Sequence, residues 1–379
     1  VSYRKFDATL NKGDGTISTI LNSGYHRTKT ELDKKNNSSH LLLGGNVDYR
    51  FGGFYVGATA AYTSLDKELV PKTTSVYRRY YAHGKEFYNV GVNYGYTGSR
   101  LSFSGETATG GCKAVATINS LSYSITDRLT MLALQRFYSY KYYSLFAESF
   151  NEGGAVQNES GIYLGMTWRP SQALNIIAYI DYAYFAWPKY QASKSSCSLD
   201  NTLQLTYVMP RWIFSARYRL KIREKDNKDK TDLINKIDHR ARFSAAYSFG
   251  AWKAKTQADL AFSSYKENSF GWMITQNANY ILKKRLNINV SFSYFNTDSY
   301  DSRVYSYEKG MLYSYYFPSF YGHGIRGSLF ASYDILKQVT LFAKVGTTKY
   351  FDREIIGSSY QQINHSSATD LELQLRIKL

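Results

Sequence analysis

Proline, cysteine and long apolar runs are scarce in this sequence. The 379 residues include 5 Pro and 2 Cys, and no stretch has the roughly 18 consecutive apolar residues that a membrane-spanning helix needs. Cys112 and Cys197 match no zinc or redox spacing, although an oxidising compartment could join them in a disulfide. No signal peptide is visible in the opening residues VSYRKFDATL, so an exported chain would be mature or truncated here.

Recognisable catalytic motifs are missing as well. None of the 6 His lies at metal-ligand spacing from another His, Cys or carboxylate. We find no nucleophile elbow, phosphate loop or paired-Cys site. An enzyme could still assemble its site across strands, and His83 with Lys85 and Glu86, or His323, would be the places to look. We predict a protein that is not an enzyme and has no cofactor and no metal site.

Aromatic and basic residues are abundant. The chain has 37 Tyr and 21 Phe, residue types that β-strands favour. Lys and Arg number 47 against 30 Asp and Glu, which gives a formal net charge of +17. Such a balance suits an anionic partner such as nucleic acid, an anionic glycan or lipid headgroups, and the alternative is that the charges lie in solvated loops.

Strict period-two alternation recurs along the chain. From Leu371 to Leu379 every odd position is apolar and every even position is Glu, Gln, Arg or Lys. Similar runs occupy residues 88–96, 211–223 and 286–294. Most strands of globular proteins have about 5–6 residues, whereas strands that cross a membrane need about 9–11, with a lipid-facing apolar row and a polar inner row.

The connectors alternate between short turns and long polar or aromatic loops, which is typical of outer-membrane barrels. The long ones are residues 10–37, 66–84, 139–157, 187–197, 224–235, 299–322 and 351–365. The predicted strands, about 18 in number, are residues 1–9, 38–50, 53–65, 85–96, 99–108, 112–124, 128–138, 158–169, 173–186, 198–208, 211–223, 236–248, 251–265, 269–282, 285–298, 323–334, 337–350 and 366–379. We predict an all-β fold, a transmembrane antiparallel β-barrel of the bacterial outer membrane, with residues 1–379 as a single domain. A soluble β-helix or a large sandwich is the alternative, although its strands would be shorter.

The alternation phase assigns two sets of side chains. Basic residues of three consecutive strands share the polar face and form what we call the basic wall: Arg217, Arg219, Lys221, Arg223, Arg240, Arg242, Lys253 and Lys255. Charges that line a pore set its ionic selectivity, but carboxylates on inward-folded loops could instead neutralise the wall. Aromatic residues near strand ends are predicted to form girdles at the two membrane interfaces: Tyr94, Tyr96, Trp168, Tyr184, Trp187, Trp212, Tyr247 and Trp252.

Two long loops are rich in Tyr and Phe. The loop over 299–322 partly alternates, so it could be a hairpin above the membrane or one that folds inward. The loop over 139–157 has a similar composition. Aromatic surfaces stack on sugars and bases, but they also form ordinary loop cores, and we favour the second interpretation.

Three long segments carry a resemblance to a known family: FSGETATGGCKAVATINSLSYSITDRL (103–129), QRFYSYKYYSLFAESFNEGGAVQNESGIYLG (135–165) and DSYDSRVYSYEKGMLYSYYFPSFYGHGIRG (298–327). They resemble Bacteroidota outer-membrane proteins of the helix-hairpin-helix domain-containing family. Those proteins join competence-protein-like helical modules to a large C-terminal barrel. The resemblance implies that this chain is the C-terminal part of a larger barrel. It carries no DNA-binding residue onto this sequence, because the helical modules are not in it.

Two functions follow from these observations. The first is an outer-membrane pore or translocation channel, and the most specific form of this hypothesis has an anionic polymer such as DNA as the substrate. The second is a non-conducting structural or docking barrel within a multi-protein outer-membrane assembly for secretion or protein insertion. The expected partners are outer-membrane lipid and lipopolysaccharide, with other outer-membrane or periplasmic proteins and nucleic acid as further candidates.

Overall fold

Nearly all regular structure in this chain is β-strand. The computed structural model describes residues 1–283, 285–314 and 317–378. The strands are β1 (Ser2–Leu10), β2 (Ile17–Leu21), β3 (Ser38–Phe51), β4 (Phe54–Leu69), β5 (Gly84–Thr97), β6 (Leu101–Gly110), β7 (Ala116–Thr126), β8 (Leu129–Tyr138), β9 (Glu159–Trp168), β10 (Leu174–Phe185), β11 (Ser196–Val208), β12 (Trp212–Asp226), β13 (Leu233–Phe249), β14 (Trp252–Tyr265), β15 (Glu267–Leu282), β16 (Leu286–Thr297), β17 (Val304–Tyr305), β18 (Ser319–Phe320), β19 (Gly322–Asp334), β20 (Val339–Tyr350) and β21 (Ser367–Ile377). The described helices are α1 (Lys29–Leu32) and two 3-10 turns, Val76–Arg78 and Ser359–Gln361. None of these helices has the length and apolar character needed to span a bilayer.

Every strand predicted from the alternation has a counterpart in the structure, and its boundaries differ by at most four residues. The prediction missed β2, β17 and β18, which lie inside the long connectors. The connector predicted over 224–235 is shorter than expected, because β12 and β13 extend to leave residues 227–232. Leu379, at the end of the last predicted strand, and Lys284, in the turn before β16, lie outside the described residues.

From β3 to β8 and from β13 to β16, each strand pairs antiparallel with the next strand in the chain. In β13 to β16, Arg242 lies opposite Asp259, Asp259 opposite Met273 and Met273 opposite Phe295. The turns between them are tight: Lys266, at φ 41°, alone connects β14 to β15. Because side chains alternate between the two faces of a strand, this register places every second residue of neighbouring strands in one row.

The chain divides into two compact units. The first comprises residues 1–166, 179–200 and 223–234, and the second comprises residues 167–178, 201–222 and 235–379. The first unit has two apolar clusters, one around Ile17, Leu65 and Phe87 and one around Tyr138 and Tyr142. Burial raises the pKa of Tyr142, which lies in the loop after β8, to about 12. That residues 1–379 form a single domain stays a prediction.

The two faces of the strands differ in the opposite sense to those of a water-soluble protein. In the second unit, Ser263, Thr275 and Ser293 are buried on the face that we call the inner face. On the outer face, Phe243 is 53% exposed and Leu373 is 68% exposed. Soluble proteins bury such apolar side chains, whereas a membrane barrel turns them toward lipid. The all-β prediction is confirmed: the fold is a transmembrane antiparallel β-barrel.

Candidate functional site

The connector between β16 and β19 folds against the inner face of the second unit. We call residues 298–321 the inserted loop; its Tyr315 and Tyr316 lie outside the described residues. The short strands β17 and β18 bury Val304 and Phe320 of this loop. These two side chains join one apolar cluster with four inner-face residues, namely Ala261, Met273, Phe295 and Tyr350. Of the two arrangements predicted for this loop, the structure therefore contains the inward-folded one, with an apolar core.

Close backbone contacts hold the inserted loop on the inner face. The Ser302 hydroxyl donates a hydrogen bond to the Phe270 carbonyl oxygen at 3.1 Å. The neighbouring residue on β15 is Gly271, and a Cβ atom there would lie 2.4 Å from the Ser302 carbonyl oxygen. Any larger residue would collide with the loop backbone, so this glycine makes the close approach sterically possible.

Buried ion pairs fix the middle of the inserted loop. The Glu308 carboxylate accepts hydrogen bonds from Arg326 Nε at 2.8 Å and Nη2 at 3.0 Å, and Lys344 Nζ lies 3.2 Å away. Asp301 of the same loop pairs with Lys236. The sequence reasoning did not single out these residues. The signal was weak: Arg326 and Lys344 are single basic residues on the inner face of strands otherwise rich in Gly, Ser and Thr.

Four arginines of the basic wall line one cavity of about 580 Å³, which we call the arginine cavity. The inserted loop covers it with aromatic and apolar side chains. The lining is Arg217 and Arg219 from β12, Arg240, Ala241 and Arg242 from β13, Asp259, Leu260 and Ala261 from β14, and Val304, Tyr305, Tyr307 and Phe317 from the loop. Strand periodicity predicted that these arginines share a face, but it gave no indication of the aromatic cover.

Contacts within the arginine cavity hold two of the guanidinium groups in place. Arg242 Nε donates to Asp259 Oδ1 at 2.6 Å, and its guanidinium lies 4.5 Å from the centre of the Tyr307 ring. Arg240 Nη1 donates to the Arg303 carbonyl oxygen at 3.1 Å. Among the described residues, Arg217 and Arg240 form no ion pair with a carboxylate, so the cavity retains positive charge.

The remaining members of the basic wall lie elsewhere. Lys253 and Lys255 line a second cavity, of about 480 Å³, which shares Tyr307 with the arginine cavity. Lys221 belongs to the second unit, in the same alternation row of β12 as Arg217. Arg223 belongs to the first unit. The structure thus brings four of the eight predicted residues into one cavity and two into another.

The predicted girdle residues lie mostly on the outer face near strand ends. Trp212 and Trp252 are 40% and 56% exposed and pack against Tyr247 and Tyr280, respectively. Trp168 and Tyr184 are exposed, and Tyr96 packs against Phe54. Tyr94 donates a hydrogen bond to Asn119 at 2.8 Å. Trp187 lies beyond the end of β10, stacked on Tyr140 and edge-on to Tyr80. Their position relative to lipid stays a prediction.

The first unit has a buried charge cluster of its own. Arg136 of β8 is fully buried; it pairs with Glu159 and donates from Nη1 to Asp181 Oδ1 at 2.7 Å. The Glu159 carboxylate also accepts hydrogen bonds from the backbone N–H groups of Glu152 and Gly153 in the loop after β8. This aromatic loop, like the inserted loop, is therefore attached to strand side chains, and sequence reasoning did not single out these residues.

The two histidines named from the sequence as places to look for an enzyme site each have a polar neighbour. His323 Nε2 lies 2.6 Å from the Tyr294 hydroxyl, and His83 Nδ1 lies 3.2 Å from the Tyr81 carbonyl oxygen. Within the described residues, no three His, Cys, Asp or Glu side chains are grouped so that they could hold a metal ion. Cys112 and Cys197 are free thiols, so the disulfide alternative does not hold in this structure.

No protein-family model and no curated protein matches the chain. Solved structures with a similar fold include the siderophore receptor PirA from Acinetobacter baumannii, at 11% identity and a TM-score of 0.49 over 93% of this chain. This chain spans 64% of the length of that receptor. The anion-selective porin from Comamonas acidovorans matches at 12% identity and a TM-score of 0.43, over 90% of this chain and 99% of the porin. OccK8 (OprE) from Pseudomonas aeruginosa matches at 8% identity and a TM-score of 0.42, over 90% of this chain and 93% of that one.

The strands themselves indicate where the chain resides. They are long enough to cross a membrane, and their outer face is apolar and exposed, as in a barrel surrounded by lipid. The chain is a bacterial outer-membrane β-barrel.

Proposed function

We propose that this chain forms a solute channel in the outer membrane and that the basic wall makes it favour anions. The observation that carries the proposal is the lining of the arginine cavity, which has four arginines and one carboxylate, Asp259. Positive charges along a pore attract anions and repel cations. The aromatic cover adds flat faces on which an organic anion could stack.

The size of the arginine cavity favours small organic anions as substrates. Sites for small molecules typically have volumes of about 300–1,000 Å³, and this cavity has about 580 Å³. An anionic polymer such as DNA would require the inserted loop to leave the wall. DNA uptake by cells that carry the chain, with or without the inserted loop, would test the polymer version directly.

Reversal potentials in planar bilayers test the proposed selectivity. We expect the full chain to favour anions across a KCl gradient, and Arg217→Gln with Arg240→Gln to lower the anion-to-cation ratio roughly fivefold, the factor given by about 1 kcal/mol. The charge-matched control, Lys12→Gln with Lys72→Gln, changes two exposed loop residues of the first unit and should leave the ratio unchanged. The preference should also weaken as salt screens the wall. An unaltered ratio in the arginine variant would mean that the wall does not select ions.

The ion pairs of Glu308 favour a second candidate, a closed barrel with a structural or docking role. Arg326, Lys344 and Glu308 are all buried, as in a permanently seated loop. In that case the chain would not conduct and would co-purify with other outer-membrane or periplasmic proteins of a secretion or insertion assembly. Two further proposals hold for either function. The exposed apolar residues of the outer face support contact with outer-membrane lipid and lipopolysaccharide. The three resembling segments support membership of the helix-hairpin-helix domain-containing family of Bacteroidota.

A further inference from the structure

The second cavity of the second unit is lined by three lysines, and we call it the lysine cavity. Its volume is about 480 Å³. The polar side chains in its lining are Lys253, Lys255 and Lys309, the carboxamides of Gln257, Asn277, Asn279 and Asn289, the hydroxyls of Ser248, Thr275 and Tyr307, and the carboxylate of Glu308. Carboxamides and hydroxyls both donate and accept hydrogen bonds, whereas an ammonium group only donates, so the three lysines give this lining an excess of donors.

Strand register builds most of this lining. Lys253 lies between Ser248 on one neighbouring strand and Asn279 on the other, and Lys255 lies between Ala246 and Asn277. Directly opposed residues of antiparallel strands have Cβ atoms about 4.5–5.5 Å apart, so each lysine stands next to an amide donor. The small residues Ser248 and Ala246 leave space on the other side. Lys309 comes from the inserted loop and completes the group.

The charges in the lysine cavity do not cancel. The one carboxylate of the lining, Glu308, binds Arg326 and Lys344, which are not part of this lining. Among the described residues, Lys253, Lys255 and Lys309 form no ion pair. Burial and the nearby Lys253 ammonium lower the pKa of Lys309, as expected for cations that repel one another without a counter-ion. A bound anion would relieve that repulsion.

We propose that the lysine cavity is a binding site for a phosphate group, either inorganic phosphate or the phosphate of a small ester. A phosphate monoester has a charge of about −1.5 to −2 at neutral pH and three strong acceptor oxygens, which matches three ammonium groups and flanking amide donors. Lysine binds phosphate as a point charge without the planar geometry that arginine imposes. Because Tyr307 lines both cavities, an anion in the arginine cavity would have the lysine cavity next to it. Delivery by this route rests on the proposed channel, whereas binding itself does not.

Equilibrium dialysis of the detergent-solubilised full chain against radiolabelled inorganic phosphate tests the site. We expect Lys253→Gln, Lys255→Gln and Lys309→Gln together to weaken binding at least about tenfold, since each removes a charge-assisted contact. The control Lys12→Gln, Lys72→Gln and Lys228→Gln removes the same net charge from exposed loop positions of the first unit and should stay within about twofold of the parent. If the triple cavity variant does not fold, Lys309→Gln alone, in the loop, should still weaken binding severalfold.

Further arms of the experiment separate the alternatives. Glycerol 3-phosphate that binds more tightly than inorganic phosphate would identify an ester as the ligand, and the reverse would identify the free ion. Displacement of phosphate by an equal concentration of chloride would overturn the proposal, as would equal losses in the cavity and control variants. A chain that binds phosphate but does not conduct would remove the channel and keep this site; a conducting chain without phosphate binding would do the opposite.

Discussion

Two buried arginines organise the inner face, one in each unit, and both use the same arrangement. Arg136 binds Glu159 and Asp181, and Arg326 binds Glu308 and Asp370. Each guanidinium lies over a glycine of the neighbouring strand. A Cβ atom at Gly161 would be 2.5 Å from Arg136 Cζ, and one at Gly346 would be 2.1 Å from Arg326 Nη2. These glycines thus provide space for a charged group, and each arginine helps to attach a loop to the strands.

Removal of the Arg136 guanidinium should be strongly destabilising. Arg136→Gln leaves Glu159 and Asp181 buried without their cation, which typically costs about 3–5 kcal/mol. Urea unfolding of the chain in detergent micelles, followed by intrinsic fluorescence, measures the change.

Lys194→Gln is the matched control for Arg136→Gln. It breaks a solvent-exposed ion pair with Asp232, in which Nζ lies 3.2 Å from Oδ1. Exposed pairs contribute little to stability, so the midpoint should hardly move. Similar shifts for the two variants would show that the Arg136 cluster contributes no more than a surface pair.

At the scale of elements, the inserted loop contributes most to the structure of the two cavities. It contributes Val304 and Phe320 to the apolar cluster, and full burial of such side chains stabilises by about 1.5–3 kcal/mol each. It also contributes Glu308 to the buried ion pairs and four side chains to the arginine cavity. The position of this loop therefore sets the shape of both cavities.

We expect Gly271→Val to unseat the inserted loop. The added side chain would collide with the Ser302 carbonyl oxygen, which would lie 2.4 Å from the new Cβ. A displaced loop should expose Lys309 to trypsin and, in a channel, should raise the conductance. Mass spectrometry of the cleavage products and single-channel recording would show both effects.

Gly327→Val is the control for the loop variant. A Cβ atom at Gly327 meets nothing within 4 Å, because this residue of β19 lies in the outer-face row. The control should keep the parent's trypsin pattern. Resistance of the Gly271→Val chain to trypsin at Lys309 would mean that the loop can remain seated without the close contact.

The sequence predicts the strands of this fold far better than the loops. Alternation over ten or more residues fixed the faces of strands such as β12 and β21, because a period of two follows from backbone geometry alone. It placed Arg217 and Arg240 in one row, but it could not show that Tyr305 and Tyr307 would cover them. The contacts of the inserted loop join residues far apart in the chain, such as Glu308 and Lys344, and no local pattern encodes such a distance.

At the scale of the whole molecule, the exposed apolar outer face shows that the fold requires lipid around it. The outer rows contain exposed Val, Leu, Ile, Phe and Tyr in strands from β3 to β21. Exposing such a surface to water costs free energy, whereas contact with lipid chains does not. Stability of the chain should therefore depend on the depth at which a charge is introduced on this face.

Leu373→Arg should be more damaging than Tyr333→Arg. Leu373 lies near the middle of β21, and Tyr333 lies near the end of β19, both exposed on the outer face. An arginine on the lipid face costs roughly 2–4 kcal/mol at the bilayer midplane and about 0–1 near the interface. Unfolding in phospholipid vesicles measures both. Equal costs would argue against a lipid-facing row at this depth.

The contact between Gln374 and the inserted loop forms in only one alignment of β21. Its carboxamide accepts a hydrogen bond from the Leu312 backbone N–H at 2.9 Å and donates one to the Leu312 carbonyl oxygen at 3.2 Å. A slip of β21 by two residues would keep every side chain on its proper face, so alternation alone does not forbid it. The slip would bring Glu372 or Arg376 opposite Leu312, and an ionised carboxylate cannot donate while a guanidinium cannot accept. Loop and final strand therefore recognise each other in only one alignment, and a misaligned barrel would be left with an unsatisfied loop.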